Sequence, residues 1–183
     1  MIDSKEASAA LADIDDIVQR VRQSRIYDLA SRIIILWGVL MFVANIATWL
    51  APRGAYYFWL ADVLGIAGSF AISAVNQAST GVRSFDLRML LAFLMFIAFG
   101  FFCAHVLGHF TPREQGTFWT IYVMLFYAVA GLWFGTAFVV IALAITALTL
   151  TGYFFVTGDA FLPWMAVVNG IGLVVGGLWM RRS

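Results

Sequence analysis

Charged residues, cysteine, histidine and proline are all scarce in this 183-residue chain. Only 11% of its residues are charged and 63% are hydrophobic, whereas about a quarter of the residues of a soluble domain carry a charge. The single cysteine excludes an intramolecular disulfide framework and leaves the redox compartment undecided. The formal net charge of +1 gives no electrostatic basis for binding nucleic acid. Because the first 25 residues are polar and charged, we expect no cleavable signal peptide.

The motifs of common enzyme classes are also missing. The sequence has no Gly-x-Ser-x-Gly, no His-Glu-x-x-His and no nucleotide-binding glycine loop. Ser69 and His105 could in principle form a nucleophile and its base, but along the predicted helices the serine lies about 10 Å deeper. A nucleophile needs its base within about 3 Å. We therefore expect that the chain is not an enzyme.

Long apolar runs account for most of the sequence, and six of them approach the roughly 20 residues that a helix needs to cross a bilayer. The sequence therefore predicts an all-α, polytopic integral membrane protein. We place the spans at residues 33–50, 56–77, 88–110, 117–132, 136–157 and 160–180. Residues 117–157 carry no charge and are about twice as long as one span, so the chain must turn back within them. The predicted turn is Gly131–Gly135.

The distribution of Lys and Arg predicts the orientation of these spans. Of the 11 Lys and Arg residues, only Arg53 and Arg113 fall on one side, and the remainder share the side of both termini. Positive residues concentrate in cytoplasmic loops, so we expect both termini in the cytoplasm. The three prolines all fall at the opposite connections. Compactness and the lack of a targeting segment indicate a bacterial inner (plasma) membrane.

Residues 1–28 predict a cytoplasmic amphipathic helix ahead of a transmembrane domain at residues 29–183. Apolar residues recur in this leader at alternating spacings of four and three, and three aspartates are followed by three arginines along it. The apolar positions are Ala7, Leu11, Ile14, Val18 and Val21. One interpretation is a helix that packs on its own protein or lies at the lipid surface. The other is a docking helix, formed by residues 1–25, for a cytoplasmic protein partner or a second protomer.

Ionisable groups inside a bilayer cost at least about 2.5–3.5 kcal/mol each, so each one needs an explanation. Asp62 and His105 lie at matching depth on consecutive spans, roughly 8 Å below the outer boundary. In a continuous helix, His109 would lie one turn above His105 on the same face. A purely structural interpretation is a hydrogen bond between Asp62 and His105, with His109 reaching interfacial water. Alternatively, the imidazoles form a gate that titrates between pH 5 and 8.

A divalent metal is a further interpretation, because His-x-x-x-His supplies two ligands on one helical face. The candidate ligands are His105, His109, Asp62 and Glu114. Haem is a less favoured cofactor, since bis-axial ligation needs histidines on opposite sides of the ring, and a five-coordinate haem is the form that stays open.

Small and polar residues follow Asp62 along one side of the second span. Their helical spacing predicts either a polar pathway or a close helix–helix contact, for which such residues are also typical. The residues are Gly65, Ser69, Ser73 and Asn76. A similar face on the last span predicts packing or contact between protomers. Its residues are Asn169, Gly172 and Gly176.

Two functional hypotheses follow. The first is a small channel-, transporter- or sensor-like membrane protein, expected to be a homo-oligomer, with an outward-facing Asp/His site for a small solute, proton or metal ion. The second is a non-catalytic accessory or scaffold subunit of a larger membrane complex, which docks a partner through the N-terminal helix.

Overall fold

The computed structural model of the protein describes residues 4–80 and 87–182. Within these ranges it confirms an all-helical chain with six helices that are long and apolar enough to cross a membrane. The main helices are α1 (Ser4–Leu50), α2 (Tyr56–Thr80), α3 (Leu87–Phe102), α4 (Pro112–Phe134), α5 (Thr136–Phe155), α6 (Phe161–Met165) and α7 (Gly172–Met180). A first π turn (Cys103–Leu107) extends α3. A 3₁₀ turn (Gly158–Ala160) precedes α6, and a second π turn (Ala166–Ile171) joins α6 to α7.

Each predicted span overlaps one of the six apolar segments. These segments are Gln23–Leu50, Tyr56–Ser79, Leu90–Leu107, Pro112–Phe134, Thr136–Phe155 and Gly158–Met180. The third ends at Leu107 rather than at residue 110, because Gly108 adopts an extended backbone with φ −111° and ψ 120°. The cytoplasmic location of the termini and the kind of membrane stay predictions, and Arg83, which contributes to that orientation, lies outside the described residues.

Helix α1 runs through the predicted boundary between leader and membrane domain without interruption. It spans 47 residues, which corresponds to about 70 Å at 1.5 Å per residue, whereas the hydrocarbon core of a bilayer is about 30 Å thick. No glycine or proline occurs between Ser4 and Gly38, so nothing in that stretch favours a break. The N-terminal part of α1 therefore continues the first span as one helix beyond the apolar segment.

The packed core lies between α1, α4, α5 and the α6–α7 segment, and α2 packs on α1. Helix α3 is peripheral and meets α4 mainly through stacked aromatic rings, such as Phe96 on Tyr122 with centroids 4.0 Å apart. The buried core side chains are Tyr27, Ile34, Met124, Ala137, Phe138, Ile141, Ala142, Ile145, Val168, Leu173 and Met180.

Glycines bring α1 against the last span. A Cβ atom at Gly38 would lie 2.8 Å from the carbonyl oxygen of Gly170, and one at Gly170 would lie 2.8 Å from the Cα of Phe42. Gly177 is equally crowded, with Ile35 Cγ1 2.8 Å from the position of a Cβ. Close approach of two backbones in a membrane requires such small residues. This contact depends on glycines that the sequence pattern did not single out.

The chain reverses between α4 and α5 at Gly135, within the predicted turn. Its φ of +133° is a backbone conformation that side chains other than that of glycine rarely adopt. The turn packs against Tyr27 and Gln23 of α1, and the Tyr27 ring meets Phe138 edge-on at 6.0 Å. This end of the bundle, where α1, the Gly135 turn and the end of α7 meet, is called the Tyr27 end below.

Candidate functional site

Asp62 and His105 are not bonded to each other. Trp59 of α2 stacks on Phe101 of α3 with ring centroids 6.1 Å apart. Because consecutive spans run antiparallel, Asp62 and His105 lie on opposite sides of this contact along the helix axes. Asp62 is half-buried, whereas His105 is exposed. No hydrogen bond or ion pair to the Asp62 carboxylate occurs within residues 4–80 and 87–182. The predicted Asp62–His105 hydrogen bond is therefore not formed.

The spacing of the two histidines predicted that they share one face of a helix, but in the structure they do not. His105 lies in the first π turn, and its Nδ1 is 3.1 Å from the carbonyl oxygen of Phe101. Because a carbonyl only accepts, Nδ1–H is the donor in this contact. His109 follows Gly108 and lies outside the helix. The expectation of an i,i+4 pair was wrong, because the helix ends before its second member.

Glu114 has a structural partner at the start of α4. Its Oε2 accepts hydrogen bonds from the backbone N–H of Thr111, at 2.8 Å, and from the Thr111 hydroxyl, at 2.9 Å. The Thr111 hydroxyl in turn accepts from the Glu114 N–H at 3.3 Å. This is a capping box, in which each residue satisfies an N–H group that the helix start leaves unpaired. The carboxylate of Glu114 is therefore engaged in capping α4.

The described part of the chain contains no group of three or more His, Cys, Asp or Glu residues that could hold a metal ion. Of the four predicted ligands, Glu114 caps a helix and His109 lies beyond the end of the third span. Asp62 and His105 are not bonded to each other. A metal or haem at this end of the bundle has no support in the arrangement of these side chains.

The small-residue stripe of α2 receives a tryptophan of α1. The indole N–H of Trp37 donates to the Ser69 hydroxyl at 3.1 Å, and this hydroxyl donates to the Gly65 carbonyl at 2.7 Å. A Cβ at Gly65 would lie 2.7 Å from the Trp37 ring, so the glycine makes room for it. This half of the stripe forms a helix–helix contact. Ser73 and Asn76, further along α2, are half-buried, and Asn76 has an interaction partner.

Asn169, the polar residue of the last span for which packing was predicted, also has a hydrogen-bond partner. Asn169 lies in the second π turn, is 8% exposed, and donates from Nδ2 to the Thr120 hydroxyl of α4 at 2.9 Å. Gly176 lies against α5, where a Cβ would come 3.0 Å from Ile141. Gly172 is less crowded, since the nearest atom would be 3.7 Å away. Asn169 and Gly176 therefore connect the last span to neighbouring helices.

Arg113 is an interaction site that the sequence analysis missed. From the first turn of α4, its Nη2 donates to the carbonyls of Gly152 at 3.2 Å, of Tyr153, and of Val156 at 2.6 Å. Its guanidinium also lies 4.6 Å from the centroid of the Phe161 ring. A cation there bonds carbonyls at the end of α5, of which that of Gly152 also accepts from the Val156 N–H at 3.0 Å, and it complements the negative end of the helix dipole. No sequence signal could have identified it, because backbone carbonyls have no residue signature.

The extension of α1 is a second candidate site. Three apolar side chains there are at least half exposed: Ile14 at 56%, Ile17 at 60% and Val21 at 50%. Their spacing of three and four residues places them on one face of the helix. Asp13, Gln23 and Arg25 are also exposed. Apolar side chains aligned on an exposed helix are typical of an interaction surface. These three residues are called the α1 stripe below.

The fold and these sites define a multi-pass helical membrane protein in which several polar side chains connect helices and the first helix extends beyond its apolar segment. Comparison with protein-family models, with curated proteins and with solved structures finds no match to this chain. Its function must therefore be inferred from the site geometry.

Proposed function

We propose that this chain is a non-catalytic scaffold subunit of a larger membrane complex, which presents α1 to a helical protein partner. The observation that carries the proposal is the continuity of α1, which joins the packed core to the exposed α1 stripe without a break. An interaction on the stripe is thereby held at a fixed position relative to the membrane bundle.

The charges along α1 indicate the kind of partner. Asp13, Asp15 and Asp16 precede Arg20, Arg22 and Arg25 in the sequence, so the charge changes from negative to positive toward the first span. A second copy in the same membrane would run parallel and place like charges at the same height, which disfavours pairing. A helix with an apolar face and the reverse charge order would match both features. We therefore assign the stripe to an amphipathic helix of a different protein.

The polar groups within the spans support a structural role for the bundle. Ser69 binds Trp37, Asn169 binds Thr120, and the Tyr122 hydroxyl donates to the carbonyl of Phe96 at 2.7 Å. Each of these bonds joins two helices. Polar side chains that bond across helices hold a membrane bundle together, and they are not available to line a route for a solute.

Cross-linking tests the proposal on the full-length protein in its native membrane. A photoreactive residue at position 17 should cross-link to one protein, identified by mass spectrometry, through a segment that is an amphipathic helix of reversed charge order. The purified partner should then bind the purified chain. Changing Ile14, Ile17 and Val21 together to serine should weaken this binding roughly 100-fold, because about 3 kcal/mol of apolar burial is lost.

The matched control changes Gln77 of α2 and Gln115 of α4, which are exposed polar residues outside α1, to serine and should weaken binding far less. A cross-linked product at twice the chain mass would show that the second protomer occupies the stripe and would contradict a hetero-partner. Cross-linking to lipid alone would contradict docking altogether.

A second candidate is passage of a proton or small cation, which the Asp62 carboxylate favours because it has no bonded partner in the described structure. Helix spacing places Asp62 one turn before Gly65, toward α1. Proteoliposomes should then show an ion flux that Asp62→Asn abolishes while the protein stays folded. If there is no flux, or if the substitution does not change it, passage of an ion is contradicted and the scaffold role is the remaining proposal.

A further inference from the structure

A polar cavity opens at the Tyr27 end, between the start of the first span and the end of the last. It has a volume of about 260 Å³ and is lined by Ser24, Tyr27, Asp28, Met180 and Arg181. Tyr27 and Met180 are buried and form apolar walls, whereas Ser24 and Arg181 are exposed at its mouth. The cavity thus combines an apolar floor with hydrogen-bond donors that face outward.

The charge around this cavity is positive. Asp28 accepts a hydrogen bond from Arg32 Nη2 at 2.7 Å and lies 3.9 Å from Arg181 Nε. One carboxylate therefore faces two guanidinium groups, each with close to half of its side chain exposed. Arg25, one helical turn before Asp28, and Arg182 are both exposed and add positive charge nearby. Asp28 orients the two arginines but neutralises only part of their charge.

The position of the cavity matches the height of lipid headgroups. The first apolar segment begins at Gln23 and the last one ends at Met180. Both of these residues are at or next to the cavity. Guanidinium groups bind phosphate oxygens strongly because their N–H donors match the geometry of the anion. Basic pockets between transmembrane helices are known to bind anionic lipid headgroups.

We propose that this cavity binds the phosphate of an anionic phospholipid headgroup. Arg181 donates to the phosphate oxygens, Ser24 adds a hydroxyl donor, and the walls formed by Tyr27 and Met180 accept the apolar part of the lipid. Arg32, which pairs with Asp28, adds positive charge beside the cavity. The carboxylate of Asp28 opposes the bound anion and limits its affinity. The site is independent of the α1 stripe and of its partner.

The proposal can be tested on delipidated full-length protein in a neutral detergent, by counting bound lipids with native mass spectrometry and measuring the thermal shift. The probes are short-chain phosphatidylglycerol, phosphatidylcholine of the same chain length, and inorganic phosphate. Phosphatidylglycerol should bind and stabilise more than phosphatidylcholine. Arg181→Gln should weaken its binding about tenfold or more, since a charged hydrogen-bond donor is lost.

Two further variants separate a binding role from a structural one. Arg182→Gln removes the same charge at the neighbouring position outside the cavity lining and should change the affinity less than about threefold. Asp28→Asn should tighten binding, because it removes the opposing carboxylate, whereas a purely structural ion pair would only lower stability. Equal effects of Arg181→Gln and Arg182→Gln, or equal binding of the two lipids, would overturn the site. Full stabilisation by inorganic phosphate would overturn the assignment to a lipid.

Discussion

Replacing Arg113 with methionine should lower the free energy of unfolding by about 3 kcal/mol, although methionine retains an unbranched apolar stem. The guanidinium joins the start of α4 to three carbonyls at the end of α5. Nη2 carries only two hydrogens, so at most two of these bonds are fully formed at once. A hydrogen bond that involves a charged group contributes about 1.5–3 kcal/mol, which gives the expected loss.

The contact with Phe161 adds about 0.5–2 kcal/mol of cation–π attraction, but water can partly solvate the carbonyls that methionine leaves unpaired. These two corrections act in opposite directions, so about 3 kcal/mol remains the expected value. Arg113→Lys keeps the charge but loses the planar, multidentate donor and should cost about half as much.

The assay is thermal unfolding in detergent, followed by tryptophan fluorescence. For a chain of this size, 1 kcal/mol corresponds to about 2–4 °C, so Arg113→Met should lower Tm by on the order of 10 °C. The matched control is Arg53→Met, which removes the exposed arginine of the α1–α2 connection and should lower Tm by less than about 2 °C. Equal shifts for the two variants would refute the assignment of Arg113 as the cap of α5.

Three further predictions concern the membrane spans. Gly170→Ala should lower the free energy of unfolding by about 1–3 kcal/mol, measured by thermal unfolding, because of overpacking against α1. Gly172→Ala has room for a methyl group and should be neutral or slightly stabilising. Equal losses for the two variants would contradict the close contact. A double-mutant cycle of Asn169→Ala and Thr120→Ala should give a coupling energy of about 0.5–1.5 kcal/mol, and additive effects would show that the bond is not formed. Asp62→Asn should not lower Tm, because no bonded partner is lost, and a decrease equivalent to more than about 1 kcal/mol would reveal one.

The positions of the spans could be predicted because apolar length is a local property of the sequence. The reversal at Gly135 followed from the same reasoning, since an uncharged run of double length must turn. The single helix from leader to first span was also foreseeable, because that stretch contains no residue that breaks a helix. The site at Asp62, by contrast, rested on matching depths along two helices, and depth does not determine the rotation of a helix about its axis.

That rotation depends on packing with every neighbouring helix. Trp37 inserts at Gly65 and Ser69, so this side of α2 faces α1. The histidine pair depended on an ideal α-helix, which a π turn and the extended Gly108 replace. Such local departures from the α-helix leave no periodic signal in the sequence.

The sequence alone determined the class of this protein, an all-helical chain with six membrane-length helices, because each span meets its hydrophobic requirement independently of the others. Only the tertiary structure decided which polar residues bind one another, that Arg113 caps a helix about 40 residues distant in the chain, and that residues of the first and last spans line one cavity. These features arise from contacts between helices far apart in the chain, and such contacts depend on the fold as a whole.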